Sequence, residues 1–286
     1  MLRKNRILIL GSSSFIAKSI IDKFYENNIQ PILISRKEID LEKATSIIKL
    51  KKILKNNDTI IFVAAKSPVK NIETLNINLV IAKNIIESLK EIKLNHLIYI
   101  SSDAVYSDNK KKINEFSETT PNTLHGFMHL IRETMLKNLN CPKTFIRPTL
   151  VYGVNDPHNS YGINKFARCA QSNKEIFLFG NGEERRDHIH VDNVGDIVFE
   201  VVINKITGVI NAVSGSVISF YEIAKNIQKI YPNIKIKKIK RSGIMPHNGY
   251  RPFDNSLLKK KFSHIKFIKL FDWLSRKEIY KLIQLI

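Results

Sequence analysis

Cysteine is almost absent from this sequence: Cys141 and Cys169 are the only two in 286 residues, and neither lies in a C-x-x-C or beside a His/Cys cluster. That spacing speaks against a disulfide framework or a structural zinc site and fits a reducing, cytoplasmic setting. Long apolar runs are missing too. The longest are short pieces such as "TIIFVAA" at 59–65, well below the ~18 residues a membrane-spanning helix requires, so no membrane span is expected. The opening "MLRKNRILIL" imitates a secretory signal, but its apolar stretch breaks at Gly11 and "SSS" follows, so it reads as a first strand. Acidic residues are in deficit, 26 against 46 Lys and Arg, for a net charge of +20. The surplus, with lysine groups at 110–112, 234–241 and 259–262, invites a nucleic-acid partner. Aromatic residues are not interleaved with those groups as stacking platforms require, and Ile, Lys and Asn abound everywhere, so nucleic acid is set aside. Internal repeats and low-complexity linkers are lacking as well.

What is present is alternation, in a chain whose 43% hydrophobic content suffices for a sizeable core. Short apolar runs, "RILIL" (6–10), "PILIS" (31–35), "TIIFVAA" (59–65), "HLIYIS" (96–101) and "KTFIRP" (143–148), read as buried parallel strands. Segments near 14–28, 41–55, 73–93 and 126–139 carry helical spacing between them. Strand and helix in turn predict an α/β fold, a doubly wound parallel sheet of Rossmann type with right-handed crossovers. After residue 150 the rhythm loosens. "GNGEERRDH" (180–188) reads as a polar loop, "VDNVGDIVFEVVIN" (191–204) as a helix, "GVINAV" (208–213) as a strand and "SFYEIAKNIQKIY" (219–231) as a helix.

The first strand runs into "GSSSFIA", where Gly11, Ser14 and Ala17 carry the spacing of a dinucleotide-binding turn with small residues in place of its later glycines. A tight turn that opens a helix presents free N–H groups to a pyrophosphate, although any strand–turn–helix also needs a small residue there. After the second strand comes Arg36, in the place that reads the adenosine ribose; an arginine there suits a 2′-phosphate, so NADP is slightly favoured over NAD.

Taken together, the motifs resemble the extended short-chain dehydrogenase/reductase family, in its nucleotide-sugar epimerase, dehydratase and reductase branch. The likeness runs almost end to end: "GSSSFIA", "EIDL" with Asp40 and Leu41, "FVAAKSP" (62–68), Asn78 and Asn84, "ISSDAVYSD" (100–108), "RPTLVYG" (147–153) and "GNGEERRDHIHVDNVGDIV" (180–198). The resemblance implies an NAD(P) site at Gly11, Ser13, Ser14, Phe15, Ile16, Arg36, Asp40, Leu41, Ala64, Ala65 and Lys66. It also implies a nucleotide-sugar substrate, a role in cell-surface polysaccharide synthesis and a possible homodimer. On this reading residues 1–155, with 188–214 returning, form the dinucleotide-binding region, and 156–187 with 215–286 form a smaller substrate-binding region.

In that family a Tyr-x-x-x-Lys pair performs the chemistry beside a Ser or Thr. Aligned through "ETTPNTLHGFMHLIRE" (118–133), His125 stands in the tyrosine's position and His129 in the lysine's, while Ser102 is retained. A phenol with an ordinary pKa near ~10 needs a neighbouring cation to act as a base at neutral pH, whereas an imidazole near ~6.5 does not. Residues at i and i+4 share a helix face, so both histidines can serve one site, His129 as a neutral donor to the nicotinamide ribose. Two other readings stand beside this one. Catalysis has decayed in a member that binds cofactor or polyanion, or the histidines form a metal pair, for which Gly126 replaces the usual glutamate and no third ligand is near.

Ser102 is followed by Asp103 and Ala104, where the family's dehydratases carry an Asp-Glu pair. The missing carboxylate favours an epimerase or ketoreductase over a dehydratase, with Asp103 near the substrate chiefly as a loop cap. Arg186 and Arg251 fall where the family places arginines for a nucleoside diphosphate, which their planar forks match.

Overall fold

A computed structural model describes residues 6–108, 111–154, 156–158 and 160–276. The chain divides into two compact units, each assembled from separate stretches. The first takes residues up to Ser107, Glu115–Pro148 and Val194–Ala212; the second takes Asp108–Asn114, Thr149–Asn193 and Val213 onwards. Residues 149–154 and 188–193, expected with the first unit, group with the second because the strand Leu150–Tyr152 (β6) pairs with Arg185–His190 (β8).

In the first unit the strands are Ile7–Leu10 (β1), Ile32–Ile34 (β2), Thr59–Phe62 (β3), His96–Ile100 (β4), Lys143–Pro148 (β5) and Gly208–Ala212 (β9). They form one parallel sheet in the order β2-β1-β3-β4-β5-β9, the doubly wound α/β fold that the alternation predicts. β1, β3 and β4 are buried along their whole length, as unbroken apolar runs covered on both faces should be. Chain order reverses between β1 and β3, whose carboxyl ends therefore open a crevice.

Helices Phe15–Glu26 (α1), Thr45–Ile53 (α2), Ile72–Leu89 (α3), Leu124–Lys137 (α4) and Val191–Ile203 (α6) accompany this sheet. α1 is capped by Ser14, α3 by an Asn71/Thr74 capping box and α4 by Thr123. α2 starts later than expected because Asp40 turns the chain first, accepting from the Glu42 N–H at 3.2 Å. α1 lies close on α6: a Cβ at Gly195 would come within 2.6 Å of Ser19 Oγ, and Lys23 meets Asp196 at 2.8 Å.

The second unit carries β6, Ile176–Phe179 (β7), β8, Val217–Ser219 (β10), Ile236–Ile239 (β11) and Tyr250–Arg251 (β12), with helices Ile163–Gln171 (α5), Phe220–Ile230 (α7), Ser256–Lys261 (α8) and Leu270–Leu274 (α9). β8 is its centre, paired with β6, β10 and β12. The polar loop expected at 180–188 is thus corrected: its end, Arg185 onward, is strand. Its polarity is internal, since the buried Asp187 accepts from Thr149 Oγ1, from the Ser214 N–H and hydroxyl and from the N–H groups of Gly215 and Ser216, at 2.7–3.0 Å. Phe166, Phe220, Ile223 and Trp273 anchor the core beneath. Among the described residues no helix is long and apolar enough to cross a membrane.

Candidate active site

The crevice at the carboxyl ends of β1, β2 and β3 is a cleft of about 340 Å³. It is lined by Gly11, Ser13, Ser14, Arg36, Asp40, Leu41, Ala64, Ala65 and Lys66 from the sequence-predicted set, and also by Ile34, Ser35, Ile39, Glu42, Ser67 and Ile81. Phe15 and Ile16, the half-buried first residues of α1, are not in its wall. Gly11 has φ +88°, and a Cβ there would lie 2.6 Å from Ala64 Cα, so the first and third loops approach as only glycine permits. Two helix asparagines hold the other loops. Asn78 binds both the N–H (3.0 Å) and carbonyl (2.9 Å) of Lys66, and Asn84 donates to the carbonyl of Leu41 at 2.9 Å.

Arg36, two-thirds exposed, is engaged by Glu42 at 3.0 Å and Asp40 at 3.7 Å. Next to it Ser35 gives its N–H (2.8 Å) and its hydroxyl to Glu38, which holds that carboxyl below its ordinary value. The Arg36 end of the cleft is therefore a mixed-charge rim.

Ser102, His125 and His129 lie outside the cleft wall but in the same unit. Ser102 caps the short turn Asp103–Val105, its Oγ accepting from the Ala104 N–H at 3.2 Å. Ser102 thus fills the N-cap position of this turn; Asp103 is buried beside it, with the Ser102 hydroxyl 3.5 Å from its Oδ1. The first turn of α4 presses onto this turn. A Cβ at Gly126 would lie 2.1 Å from the Ala104 carbonyl oxygen and 2.7 Å from Pro121 Cβ. Glycine therefore brings the residue after His125 into backbone contact with the residue two after Ser102.

His125 and His129 stand edge to face with ring centroids 4.7 Å apart. His129 is only 5% exposed, and its Nδ1 pairs with the Tyr99 hydroxyl at 2.7 Å. Burial, reinforced by the nearby His125 and Arg132, holds its pKa well below the ordinary imidazole value. Arg132, wholly buried one turn further on, donates to Asn78 O (2.7 and 3.0 Å), Asn78 Oδ1 (2.9 Å) and Ala64 O (2.9 Å). α4 is so tied directly to the third loop of the cleft. Beneath Ser102, Ser101 donates to Glu133 at 2.6 Å, and Arg147 meets both oxygens of Glu133 at 2.9 and 2.5 Å. Both members of that ion pair are buried. Sequence reasoning missed Tyr99 and Arg132, which read as an apolar strand residue and an ordinary helical arginine.

In the second unit, Arg186 and Arg251 are register partners in β8 and β12, so they share a face of the sheet. Each has a carboxylate: Arg186 meets Glu184 at 3.4 Å and Arg251 meets Asp108 at 2.8 Å, with His247 beside it. Arg241, which carried no signal in its lysine-rich surroundings, joins Glu184 at 3.2 Å. Arg186 and Arg241 thus share Glu184. Among the described residues no group of three or more His, Cys, Asp or Glu side chains could hold a metal ion.

Comparison with known proteins agrees with this layout. A model of the "NAD dependent epimerase/dehydratase family" matches residues 7–212. A "dTDP-D-glucose 4,6-dehydratase" of Dictyostelium discoideum is 27% identical over 239 residues, 75% of this chain and 51% of that protein, so the chain spans about half the length of that curated relative. Among solved structures, a UDP-glucuronic acid 4-epimerase from Bacillus cereus, in complex with UDP-glucuronic acid and NAD, superposes with a TM-score of 0.81 at 20% identity, covering 97% of this chain and 98% of that one. A UDP-N-acetylglucosamine 4-epimerase from Methanobrevibacter ruminantium, in complex with UDP-N-acetylmuramic acid, gives 0.81 at 21% identity, with 97% of each chain covered.

Proposed function

We propose that this chain, which belongs to the NAD dependent epimerase/dehydratase family, is an epimerase or ketoreductase acting on a nucleoside-diphosphate sugar, with His125 as its acid–base residue. The observation that carries the reading is the contact at Gly126, which presses the turn bearing His125 against the turn capped by Ser102. A cofactor site at the crevice fits the residues present: the Gly11–Ala64 approach leaves backbone where a pyrophosphate must come close, and the N-terminus of α1 offers free N–H groups. Gly11, Ser13 and Ser14 would hold the pyrophosphate, with Asp40 and Leu41 at the adenosine end and Ala64–Lys66 along the middle. The chemistry such a cofactor supplies is hydride exchange at a sugar carbon.

Around it, this chain's residues handle the proton. The Ser102 hydroxyl accepts from the Ala104 N–H and makes a long 3.5 Å donation to Asp103 Oδ1, and that proton turns to the sugar oxygen when substrate binds. His125 removes that oxygen's proton as the carbonyl forms and returns it on reduction. An imidazole does this at neutral pH without a lysine's charge. A single carboxylate after Ser102, Asp103, supports epimerisation or ketone reduction over elimination of water.

For the cofactor itself we assign NAD(H). A 2′-phosphate would have to displace Glu42 and Asp40 from Arg36 and would stand among three carboxylates with Glu38, against the sequence-based leaning to NADP. In the second unit, Arg186, Arg251 and Arg241 are the candidates for a nucleoside diphosphate. The test is turnover of UDP-, dTDP-, GDP- and CDP-sugars with NAD or NADH, followed by separation of the products. Conversion of at least one, weakened by Arg186→Ala and Arg251→Ala through nucleotide affinity, supports the reading; conversion of none favours the decayed, cofactor-binding alternative that the replaced Tyr-x-x-x-Lys pair suggests.

A further inference from the structure

We propose that Glu184 is a positioning residue that holds Arg186 and Arg241 together as a two-armed clamp for the diphosphate of a nucleoside diphosphate. Its backbone is fixed without help from its side chain. The Glu184 carbonyl accepts from the Phe220 N–H at 3.2 Å and the Gly182 carbonyl from the Tyr221 N–H at 2.9 Å, so the end of the turn before β8 is pinned to the start of α7. Arg241 reaches the same turn along the β7–β11 pair. Ile239 is in register with Phe179, and its carbonyl accepts from the Gly180 N–H at 2.8 Å. Two residues on, the Arg241 guanidinium lies 5.6 Å from the centre of the Phe179 ring.

The carboxylate gives one oxygen to each arginine: Oε1 accepts from Arg186 Nη1 at 3.4 Å and Oε2 from Arg241 Nη2 at 3.2 Å. A guanidinium has five N–H donors, so an end-on contact of this kind holds each planar fork without filling it. The buried Arg147–Glu133 pair is the contrasting, closed arrangement. There both carboxylate oxygens meet one guanidinium, and the side chains are 4% and 0% exposed. At Glu184 the acid is shut away at 4%, whereas Arg186 and Arg241 reach solvent at 11% and 16%. An anion arriving from outside therefore meets guanidinium and not carboxylate. Two guanidiniums on one carboxylate also give the trio a net positive charge. Arg241 Nε is buried without an acceptor, so that guanidinium gains from any rearrangement that brings a phosphate oxygen to it.

Glu184→Gln separates positioning from mere counter-charge. Glutamine keeps one acceptor oxygen, and its amide nitrogen only donates, so it faces one of the two arginines donor to donor and releases that arm. A carboxylate that only competed with the ligand would act with the opposite sign, its removal strengthening anion binding. The role rests on the proposed function in one respect: the diphosphate is taken to be that of a nucleotide sugar. The test is calorimetry, with NADH present to fill the cofactor cleft, of UDP, dTDP, GDP and CDP, their monophosphates and inorganic pyrophosphate. In the parent at least one nucleoside diphosphate should bind about 10-fold or more tighter than its monophosphate, the worth of a hydrogen bond to a charged group. In Glu184→Gln and in Arg241→Ala that ratio should fall to about 3 or less, with NADH affinity within about twofold of the parent's. An undiminished ratio in folded Glu184→Gln, or tighter diphosphate binding there, overturns the positioning role. An undiminished ratio in Arg241→Ala, a change at a partly exposed side chain, overturns the clamp even if Glu184→Gln does not fold. Pyrophosphate bound by the parent and lost in Arg241→Ala, with no nucleotide bound, leaves the clamp standing and refutes the nucleotide-sugar reading alone. A parent that binds neither pyrophosphate nor any nucleotide, or that binds mono- and diphosphates alike, overturns the clamp.

Discussion

Gly126→Ala puts the proposed geometry under the smallest possible strain. In a helix the change is ordinarily favourable by about 0.5–1 kcal/mol, because glycine loses more backbone freedom on folding. Here the new Cβ would lie 2.1 Å from the Ala104 carbonyl oxygen, 2.9 Å from its carbon and 2.7 Å from Pro121 Cβ. Two of those three atoms are backbone, so no rotamer change relieves them. To reach ordinary contact at 3.4 Å, α4 and the Ser102 turn must part by more than an ångström. Overpacking of this kind costs about 1–3 kcal/mol, so the net loss of stability should be roughly 1–2 kcal/mol. A misplacement of about 1 Å between catalytic groups costs on the order of 10²-fold in rate. Cofactor affinity should stay within about twofold, since the approach of Gly11 to Ala64 is untouched. Urea unfolding, turnover and calorimetry with NADH measure the three quantities. Full turnover in the variant would refute the claim that this contact aligns the site, and a gain in stability would refute the packing argument.

Three further outcomes are expected. NADH should bind more tightly than NADPH by calorimetry, Arg36→Ala should change the ratio little, and Glu42→Ala should move it toward NADPH by freeing the guanidinium; a parent preferring NADPH contradicts the rim's assigned charge. Glu133→Leu leaves the buried Arg147 unpaired and should cost about 3–5 kcal/mol in urea unfolding, most of it recovered in Glu133→Leu/Arg147→Met; a cost under about 1 kcal/mol refutes the buried pair. Stability should also fall in acid. His96 gives its Nε2–H to Thr144, whose own proton goes to the Ile206 carbonyl, and its Nδ1 is buried without a partner, which holds its pKa at about 4. A histidine depressed from 6.5 to about 4 contributes fully above about 6.5 and loses about 3 kcal/mol as pH falls through that window, because the unfolded chain takes the proton first. His129 and His188, the latter near 3, act in the same direction; the raised carboxyl of Asp187, near 6, opposes them below that pH. Unfolding midpoints that are flat from about pH 7 to about pH 5 would count against the buried neutral histidines.

The parallel sheet was legible because strands covered on both faces must be apolar throughout: "RILIL", "TIIFVAA" and "HLIYIS" each contain their strand. The cleft was legible for a related reason, since Gly11 marks a backbone approach that side chains forbid. β8 was hidden because its polarity is satisfied inside the fold: Asp187 draws five donors from chain up to 38 residues away, and periodicity reports apolar burial alone. Arg132 escaped for the same cause. A guanidinium sunk among carbonyls of α3 and the third loop has no local sequence pattern, and the phenol of Tyr99 is indistinguishable in a strand from any other large residue. Arg186 and Arg251 could be named singly, but their pairing in register depends on β12 returning to β8 from 65 positions on.

On the proposed mechanism His125 moves the proton while the nicotinamide moves the hydride. This division is tested most directly by mixing NAD-loaded protein with each UDP-sugar and following reduced nicotinamide by absorbance in a stopped flow, for the parent and for His125→Phe. A transient redox change is expected with at least one sugar in the parent, and in His125→Phe a loss of at least about 10²-fold in its rate with NADH affinity retained. Equal rates in the two proteins would contradict it.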